Sequence, residues 1–260
     1  MLSVALTIAG SDPSGGAGIQ ADLKTFHQFG VYGMSVLTLV TVQNTQRVSA
    51  VEFLDPGLVA AQLDAVLEDI PPAAAKTGAL GTAEVIRAIA DRAVHFAFPL
   101  VVDPVMISKH GAPLMAADAR SALLTSLLPT AFLVTPNLHE AEALAEMPVG
   151  NVRAMEAAAR RIAALGPPAV LVKGGHLADK AVDVLFWRGE VQHFVAPKIE
   201  TVHTHGTGCT YSAAITAELA KGRSLPEAVE IAKRFITAAI ASSPGLGKGF
   251  GPVNHHARLD

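Results

Sequence analysis

The chain has few of the features that would indicate a secreted, membrane-bound or nucleic-acid-binding protein. One cysteine in 260 residues cannot form an internal disulfide, so a reducing cytoplasm is the compartment we expect. There is no cluster of lysine or arginine and the formal net charge is −3, which argues against nucleic acid or an anionic membrane as the main partner. The apolar stretches are interrupted well short of a membrane span. A small molecule is therefore the expected ligand.

The chain does contain an alternation of short apolar runs and amphipathic helical patterns, in a sequence that is 50% hydrophobic. The predicted strands are Val4–Ala9, Val36–Val42, Leu100–Val102, Phe132–Thr135, Ala169–Val172 and Val182–Trp187. The predicted helix faces are Val59, Leu63, Val66 and Leu67; Val85, Ile86 and Ile89; and Met155, Ala159 and Ile162. This rhythm predicts an α/β fold, with a mostly parallel sheet covered on both faces and ligands bound beyond the carboxyl ends of its strands. Because no linker or repeat interrupts it, we predict one domain over residues 1–260.

A glycine-rich turn near the C-terminal end, Thr204–Thr210 with the sequence THGTGCT, leads into an alanine-rich helical stretch and contains the only cysteine. Gly206 and Gly208 allow the backbone N–H groups to approach a ligand, and a helix that begins here directs its positive dipole end at the same place. We therefore expect an anion to bind at this turn. The positive dipole end of this helix also predicts a lowered pKa for Cys209, which could then accept a proton from an attacking hydroxyl group. A purely structural turn with a buried cysteine is the alternative.

A second glycine-rich loop, Gly10–Gly18, follows the first strand and precedes a helix that carries Asp22. It lacks the Lys-Ser/Thr of a Walker loop, and the spacing and missing acid argue against a dinucleotide fingerprint. A flat substrate could instead approach the backbone, with Asp22 binding its hydroxyl or amino group. Alternatively, Asp22 is only a favourable acid early in a helix.

Polar residues also follow other strands. Gln43 offers an adjacent donor and acceptor to a heterocycle, and Asp103 could help to hold Mg²⁺ or phosphates. Plain strand-end and turn roles are the alternatives.

Asn137 and Glu140 have the spacing of a capping box, with a metal or phosphate role as the other interpretation. Lys173, in the segment Lys173–His176, leaves a strand beside two glycines and is suited to neutralise nucleotide phosphates. The histidines at 203, 205, 255 and 256 do not have the spacing of a zinc site.

Long segments of the chain resemble the hydroxymethylpyrimidine/phosphomethylpyrimidine kinases of the ribokinase superfamily, nearly from end to end. The segments are LTIAGSDPSGGAGIQADLKTF, GVYGMSVLTLVTVQNT, VVDPVM, TPNLHEAEAL, VLVKGGH, THGTGCT and GKGFGPVNHH, in that order. The resemblance implies a three-layer α/β/α sandwich of the ribokinase-like type. It also implies that the pyrimidine precursor of thiamin is phosphorylated twice, with ATP and Mg²⁺. A homodimer is the assembly we expect.

The resemblance also implies roles for individual residues. Gln43, Asp22, Val105 and Gly10 would bind the pyrimidine; Lys173, Asn137 and Thr204 would bind the nucleotide; Asp103 and Glu140 would place Mg²⁺; and Gly206, Thr207, Gly208 and Cys209 would form the anion hole and supply the base. Most of the wider superfamily has aspartate where Cys209 stands.

One residue departs from the family pattern, because Ala79 occupies the position of a methionine that would pack on the pyrimidine. The roomier wall weakens the expectation of strict substrate choice. The nearest alternative activity is that of a pyridoxal kinase of the same fold. A hydrolase that uses Cys209 with His205, and a silent pyrimidine-binding sensor, are alternatives from other classes.

Overall fold

The computed structural model describes residues 2–116, 118–175 and 180–259. In these ranges nine strands form one sheet, in the order β3-β2-β1-β4-β5-β6-β7-β8-β9. The strands are β1 (Val4–Ser11), β2 (Tyr32–Gln43), β3 (Val48–Phe53), β4 (Ala74–Thr77), β5 (Leu100–Val102), β6 (Leu133–Val134), β7 (Ala169–Val172), β8 (Lys180–Trp187) and β9 (Glu190–Pro197).

The centre of the sheet is parallel and its two edges are antiparallel. Strands β2, β1, β4, β5, β6 and β7 pair in parallel, while β3 pairs antiparallel with β2, and β8 pairs antiparallel with both β7 and β9. Strand order reverses between β1 and β4, since the chain runs outward from β1 to β2 and later returns to β1's other side. In open α/β sheets a ligand crevice forms at such a reversal, beyond the carboxyl ends of the strands.

Helices cover both faces of the sheet. They are α1 (Gly18–Gln28), α2 (Pro56–Asp69), α3 (Ala83–Ala93), α4 (Ala119–Ala122), α5 (Leu138–Ala145), α6 (Val152–Ala163), α7 (Thr207–Ala220) and α8 (Leu225–Ala241). Residues of α2 to α6 contribute to one buried hydrophobic cluster, and residues of α1, α7 and α8 contribute to another. The α/β/α sandwich is therefore confirmed. None of the helices in the described ranges combines the length and apolarity needed to cross a bilayer.

The six predicted strands are present, with β1, β2 and β8 longer and β6 shorter than predicted. The predicted helix faces are also confirmed, since Val59, Ile86 and Met155 are fully buried. Strands β3, β4 and β9 were not predicted. Strand β3 is an edge strand with mostly exposed residues, and β9 carries charged and polar side chains, so neither shows an apolar run. Strand β4 is only four residues long and contains a lysine.

Candidate functional site

A cavity of about 800 Å³ opens at the carboxyl ends of the parallel strands, at the sheet reversal. The predicted site residues that line it are Gly10, Gln43, Val105, Asp103, Asn137, Glu140, Lys173, Thr204, Gly206, Thr207, Gly208 and Cys209. A second cavity of about 810 Å³ is lined by residues at the start of β5 and just before β6, near Leu100 and Phe132, and by none of the predicted site residues. The chemistry of the chain is therefore concentrated in the first cavity.

The glycine-rich turn forms the start of α7, as the sequence indicates. Gly206 precedes the helix in the left-handed conformation, with φ 77°, and Thr207 Oγ1 donates to the carbonyl oxygen of Thr204 at 2.8 Å. A Cβ atom at position 206 would overlap the carbonyl oxygen of Gly16. The glycine-rich turn Thr204–Thr210 and the Gly10–Gly18 loop are thus in direct backbone contact, and glycine is required where they meet.

Cys209 lies in the first turn of α7 and also faces the start of α1, where the N–H of Gly18 donates toward its sulfur. The prediction that its pKa is lowered is wrong for this structure. Burial raises the pKa of the thiol to about 12, and the charges of Asp22 and Asp103 add to the rise. Lys76 and the Gly18 N–H act in the opposite direction but do not outweigh burial. In this environment the thiol is protonated at neutral pH.

Asp22 lies beneath the cavity and is not one of its lining residues. Its side chain is fully buried, and its carboxylate accepts hydrogen bonds from Lys76 Nζ at 2.8 and 2.9 Å and from Thr7 Oγ1 at 2.6 Å. Although burial alone would lower the pKa of Lys76, the charge of Asp22 raises it, so the lysine is protonated. The geometry therefore favours Asp22 as the partner of a buried lysine rather than as a direct ligand of the substrate.

A second lysine–aspartate pair lies on the other side of the turn. Lys173 Nζ is 2.7 Å from Asp103 Oδ1, and Asp103 also accepts from Thr135 and Ser212. A Cβ atom at Gly208 would lie 3.4 Å from Lys173 Nζ, so the lysine stands directly beside the anion turn. This position is compatible with the predicted role of Lys173 beside nucleotide phosphates, which stays a prediction.

Asn137 and Glu140 form the capping box at the start of α5. Glu140 N–H donates to Asn137 Oδ1 at 2.9 Å, and Asn137 N–H donates to Glu140 Oε2 at 2.8 Å. Burial raises the pKa of Glu140 to about 7, with a further rise from Asp103 and an opposing effect of Lys173. The site therefore favours additional positive charge.

Two buried carboxylates beside one lysine are a donor set that suits Mg²⁺ when phosphate oxygens and water complete its shell. Within the ranges that the structure describes, no group of three or more histidine, cysteine, aspartate or glutamate side chains could hold a metal. The side chains that would hold Mg²⁺ are therefore these two carboxylates, together with phosphate oxygens and water.

Another part of the cavity is lined by Gln43, Val105 and Ala79, together with Asp12 and His205, for which the sequence predicts no binding role. Asp12 and His205 are each 3% exposed and are joined by a 2.7 Å contact between Asp12 Oδ2 and His205 Nε2. Asp12 also accepts from Ser14 and from Ala17 N–H, which holds the Gly10–Gly18 loop in shape. Burial by itself would raise the pKa of Asp12, but hydrogen bonds from His205 and Ser14 bring it below its usual value.

The cavity continues past Lys173 toward β8 and α8. Lys233 Nζ lies 2.7 Å from Asp183 Oδ2, and Asp183 Oδ1 accepts the N–H of Gly174, so this pair braces the turn that follows Lys173. Ile236 and Ile240 add apolar surface there. A ligand with a flat aromatic ring and a phosphate chain could place its ring at this end of the cavity and its phosphates beside Lys173. His176, at the end of the segment predicted with Lys173, lies outside the described residues.

Fold and site together define a ribokinase-like kinase. The Bacillus subtilis pyridoxal kinase, solved as an ADP complex, is 43% identical, has a TM-score of 0.91 and matches 99% of this chain and 98% of that chain. A hydroxymethylpyrimidine/phosphomethylpyrimidine kinase of Staphylococcus aureus is 48% identical over 260 residues, which are 98% of this chain and 94% of that protein.

The thiamine biosynthesis bifunctional protein ThiED of Geobacter sulfurreducens is 52% identical over 252 residues, but the match spans 51% of its length and 96% of this chain. The family model of phosphomethylpyrimidine kinase matches residues 12–254. The chain belongs to the phosphomethylpyrimidine kinase family and is a phosphotransferase.

The contact between the two glycine loops predicts that Gly206→Ala is strongly destabilising. The variant should lose about 2 kcal/mol or more of unfolding free energy, because φ is positive and Cβ would overlap Gly16. Gly30→Ala is the matched control, since Gly30 has φ 68° but no atom within 4 Å of the added Cβ, and it should lose about 1 kcal/mol. Urea unfolding measures both, and equal losses would contradict the contact.

The raised pKa of Cys209 predicts slow alkylation. Since burial raises the pKa of the thiol to about 12, iodoacetamide at pH 8 should react at least about tenfold more slowly with the folded protein than with the urea-unfolded chain, because the smaller thiolate fraction outweighs the higher nucleophilicity of a more basic thiolate. The rate should also rise tenfold per pH unit up to pH 10 without levelling. Because the chain has one cysteine, the signal has a single source. A plateau below pH 9 in the folded protein would show that the thiol is not suppressed.

Proposed function

We propose that the protein transfers the γ-phosphoryl group of ATP to 4-amino-5-hydroxymethyl-2-methylpyrimidine and then to the resulting monophosphate, in thiamin biosynthesis. The observation that carries the proposal is the convergence of a glycine-rich helix start, the half-buried thiol of Cys209 and Lys173 on one cavity, in a chain of the phosphomethylpyrimidine kinase family. Its action in the cytoplasm and as a homodimer stays a prediction.

The pyrimidine would lie between the Gly10–Gly18 loop, Gln43 and Val105, with its hydroxymethyl arm toward the start of α7. The nucleotide would extend from the β8 and α8 end of the cavity, with its phosphates beside Lys173, Asn137 and Thr204. The 2.7 Å pairing of Lys173 with Asp103 supports this arrangement, because it holds the ammonium group beside Gly208 at the start of α7. The ADP complex of the Bacillus subtilis relative supports nucleotide binding by this fold.

In the transfer step the hydroxymethyl oxygen forms a bond to the γ-phosphorus, the bond from that phosphorus to the ADP oxygen breaks, and the hydroxyl proton leaves. The N–H groups at Gly206, Thr207, Gly208 and Cys209 would stabilise the charge on the transferring group. Because phosphoryl transfer passes through a loose transition state, positioning and electrostatics account for most of the acceleration.

Cys209 is the proposed proton acceptor, and its raised pKa limits when it can act. Lys76 and the N–H of Gly18 favour the thiolate, while Asp103 opposes it. Mg²⁺, held by Asp103 and Glu140 together with the phosphates, would supply positive charge that offsets these carboxylates. The thiol would have to lose its proton before or during the transfer, and Lys76 and the N–H of Gly18 are the described groups that favour this loss.

A pyridoxal kinase activity is the second candidate, and two observations favour it. Ala79 lines the cavity where a bulkier residue would press on the ring, and the 43% identical relative is a pyridoxal kinase. The wider wall would admit a pyridine ring with more substituents. We therefore expect side activity on pyridoxal, below that on the pyrimidine.

The two activities separate in an ADP-release assay with hydroxymethylpyrimidine, its monophosphate and pyridoxal measured side by side. We expect turnover of both pyrimidines. The monophosphate is the substrate that separates the two activities, because only a two-step kinase must accept a substrate that already bears a phosphate. Fast turnover of pyridoxal without turnover of the monophosphate would overturn the proposal in favour of the second candidate. Activity without ATP would instead indicate a hydrolase.

Replacing the thiol tests its role in the transfer. Cys209→Ala should lower kcat by roughly 10²- to 10⁴-fold, the usual contribution of a general base, while the pyrimidine still binds. Calorimetric titration gives the binding constant and the ADP-release assay gives kcat. A variant with full turnover would refute the assignment of Cys209, and one that no longer binds pyrimidine would indicate a structural role.

A further inference from the structure

The side-chain amide of Gln43 lies between the hydroxyl group of Thr41 and the imidazole ring of His205. In the structure the amide Oε1 of Gln43 is 3.2 Å from Thr41 Oγ1, and the amide Nε2 is 3.3 Å from His205 Nε2. Thr41 Oγ1 also donates to the carbonyl oxygen of Ser11 at 2.9 Å. His205 Nε2 is 2.7 Å from Asp12 Oδ2. The orientation of the amide therefore depends on which of these neighbours is a donor.

His205 has a fixed polarity at Nε2. The carboxylate of Asp12 can only accept, so Nε2 carries a hydrogen whether or not the ring is charged. An amide NH₂ group facing this N–H would place two donors together, whereas an amide oxygen there would share the hydrogen. The hydroxyl of Thr41 is both donor and acceptor, so it adapts to either end of the amide. His205 is thus the neighbour that selects the orientation. It favours the oxygen of Gln43 on its side and the NH₂ group toward Thr41, which corresponds to the amide of the structure turned over so that its oxygen and nitrogen exchange places.

The orientation of the Gln43 amide matters because the proposed substrate ring would bind in one orientation only. The proposed function, on which this inference rests, directs the hydroxymethyl arm toward Cys209, so one edge of the heterocycle must face Gln43. A 4-aminopyrimidine presents a donor and then an acceptor along that edge. Its 4-oxo analogue presents the same two groups in the opposite order. An amide locked in one orientation pairs with one order and not with the other.

We propose that Asp12 and His205 are positioning residues that lock the amide of Gln43, and that they thereby select aminopyrimidines over their oxo analogues. Both side chains are buried, and a Cβ atom at Gly16 would strike the imidazole ring, so the ring has no room to rotate away. Neither residue needs to touch the reacting atoms.

The test compares kcat/KM for hydroxymethylpyrimidine and for its 4-oxo analogue in three variants. His205→Leu removes the N–H and should reduce the preference for the amino substrate by at least about tenfold. His205→Gln restores an N–H donor and should keep the preference within about threefold of the unaltered protein. The KM for ATP should stay unchanged in both variants, because the nucleotide binds at the other end of the cavity.

His203→Leu is the matched control. This histidine is two residues away in the same loop, and its Nδ1 accepts from the N–H of Gly251 rather than meeting Gln43. The variant disturbs the loop without changing the amide, so the preference should be that of the unaltered protein. If His205→Leu does not fold, as judged by thermal unfolding, His205→Met makes the same comparison.

A His205→Leu variant that loses activity equally toward both substrates would overturn the inference, since the histidine would then be only structural. Equal loss of the preference in His203→Leu would overturn it as well. Absence of any turnover of the amino substrate by the unaltered protein would refute the proposed function itself, and the inference with it.

Discussion

Two lysine–aspartate pairs near the start of α7, one fully buried and one largely buried, are the interactions on which the site depends. Lys76 pairs with Asp22 beneath the thiol, and Lys173 pairs with Asp103 beside Gly208. Removal of one member of such a pair leaves an uncompensated buried charge, which typically costs about 3–5 kcal/mol. The sheet therefore brings the carboxyl ends of β4 and β7 to the same place, where Lys173 lines the cavity and Lys76 is buried out of it.

The two glycine-rich loops are in contact beyond the carboxyl ends of the parallel strands. Gly206 meets the carbonyl of Gly16, and His205 contacts Asp12 across the same junction. Direct contacts thus join two segments: the turn that would stabilise a transferring phosphoryl group, and the loop that would hold the heterocycle. This explains how an acceptor hydroxyl group can be aligned with a phosphate by backbone atoms that cannot move independently.

The sequence predicts the parts of this architecture that carry a local signal. Apolar strands, helix faces, the capping box at Asn137 and the helix start at Gly206 are all visible in residue pattern. Strand β4 and its Lys76 are not, because four residues with a central lysine resemble a connector until the partner Asp22 is known. The pKa of Cys209 was predicted with the wrong sign, since helix position favours the thiolate but burial among distant residues dominates. The roles of individual site residues, and the single domain over 1–260, stay predictions.

The most direct test of this account is a crystal structure of the protein with a non-hydrolysable ATP analogue and hydroxymethylpyrimidine. The account predicts that the terminal phosphate accepts hydrogen bonds from the backbone at Gly206 to Cys209, and that the sulfur lies within about 3.5 Å of the hydroxymethyl oxygen. A complex in which the phosphates bind away from this turn, with the sulfur directed elsewhere, would contradict it.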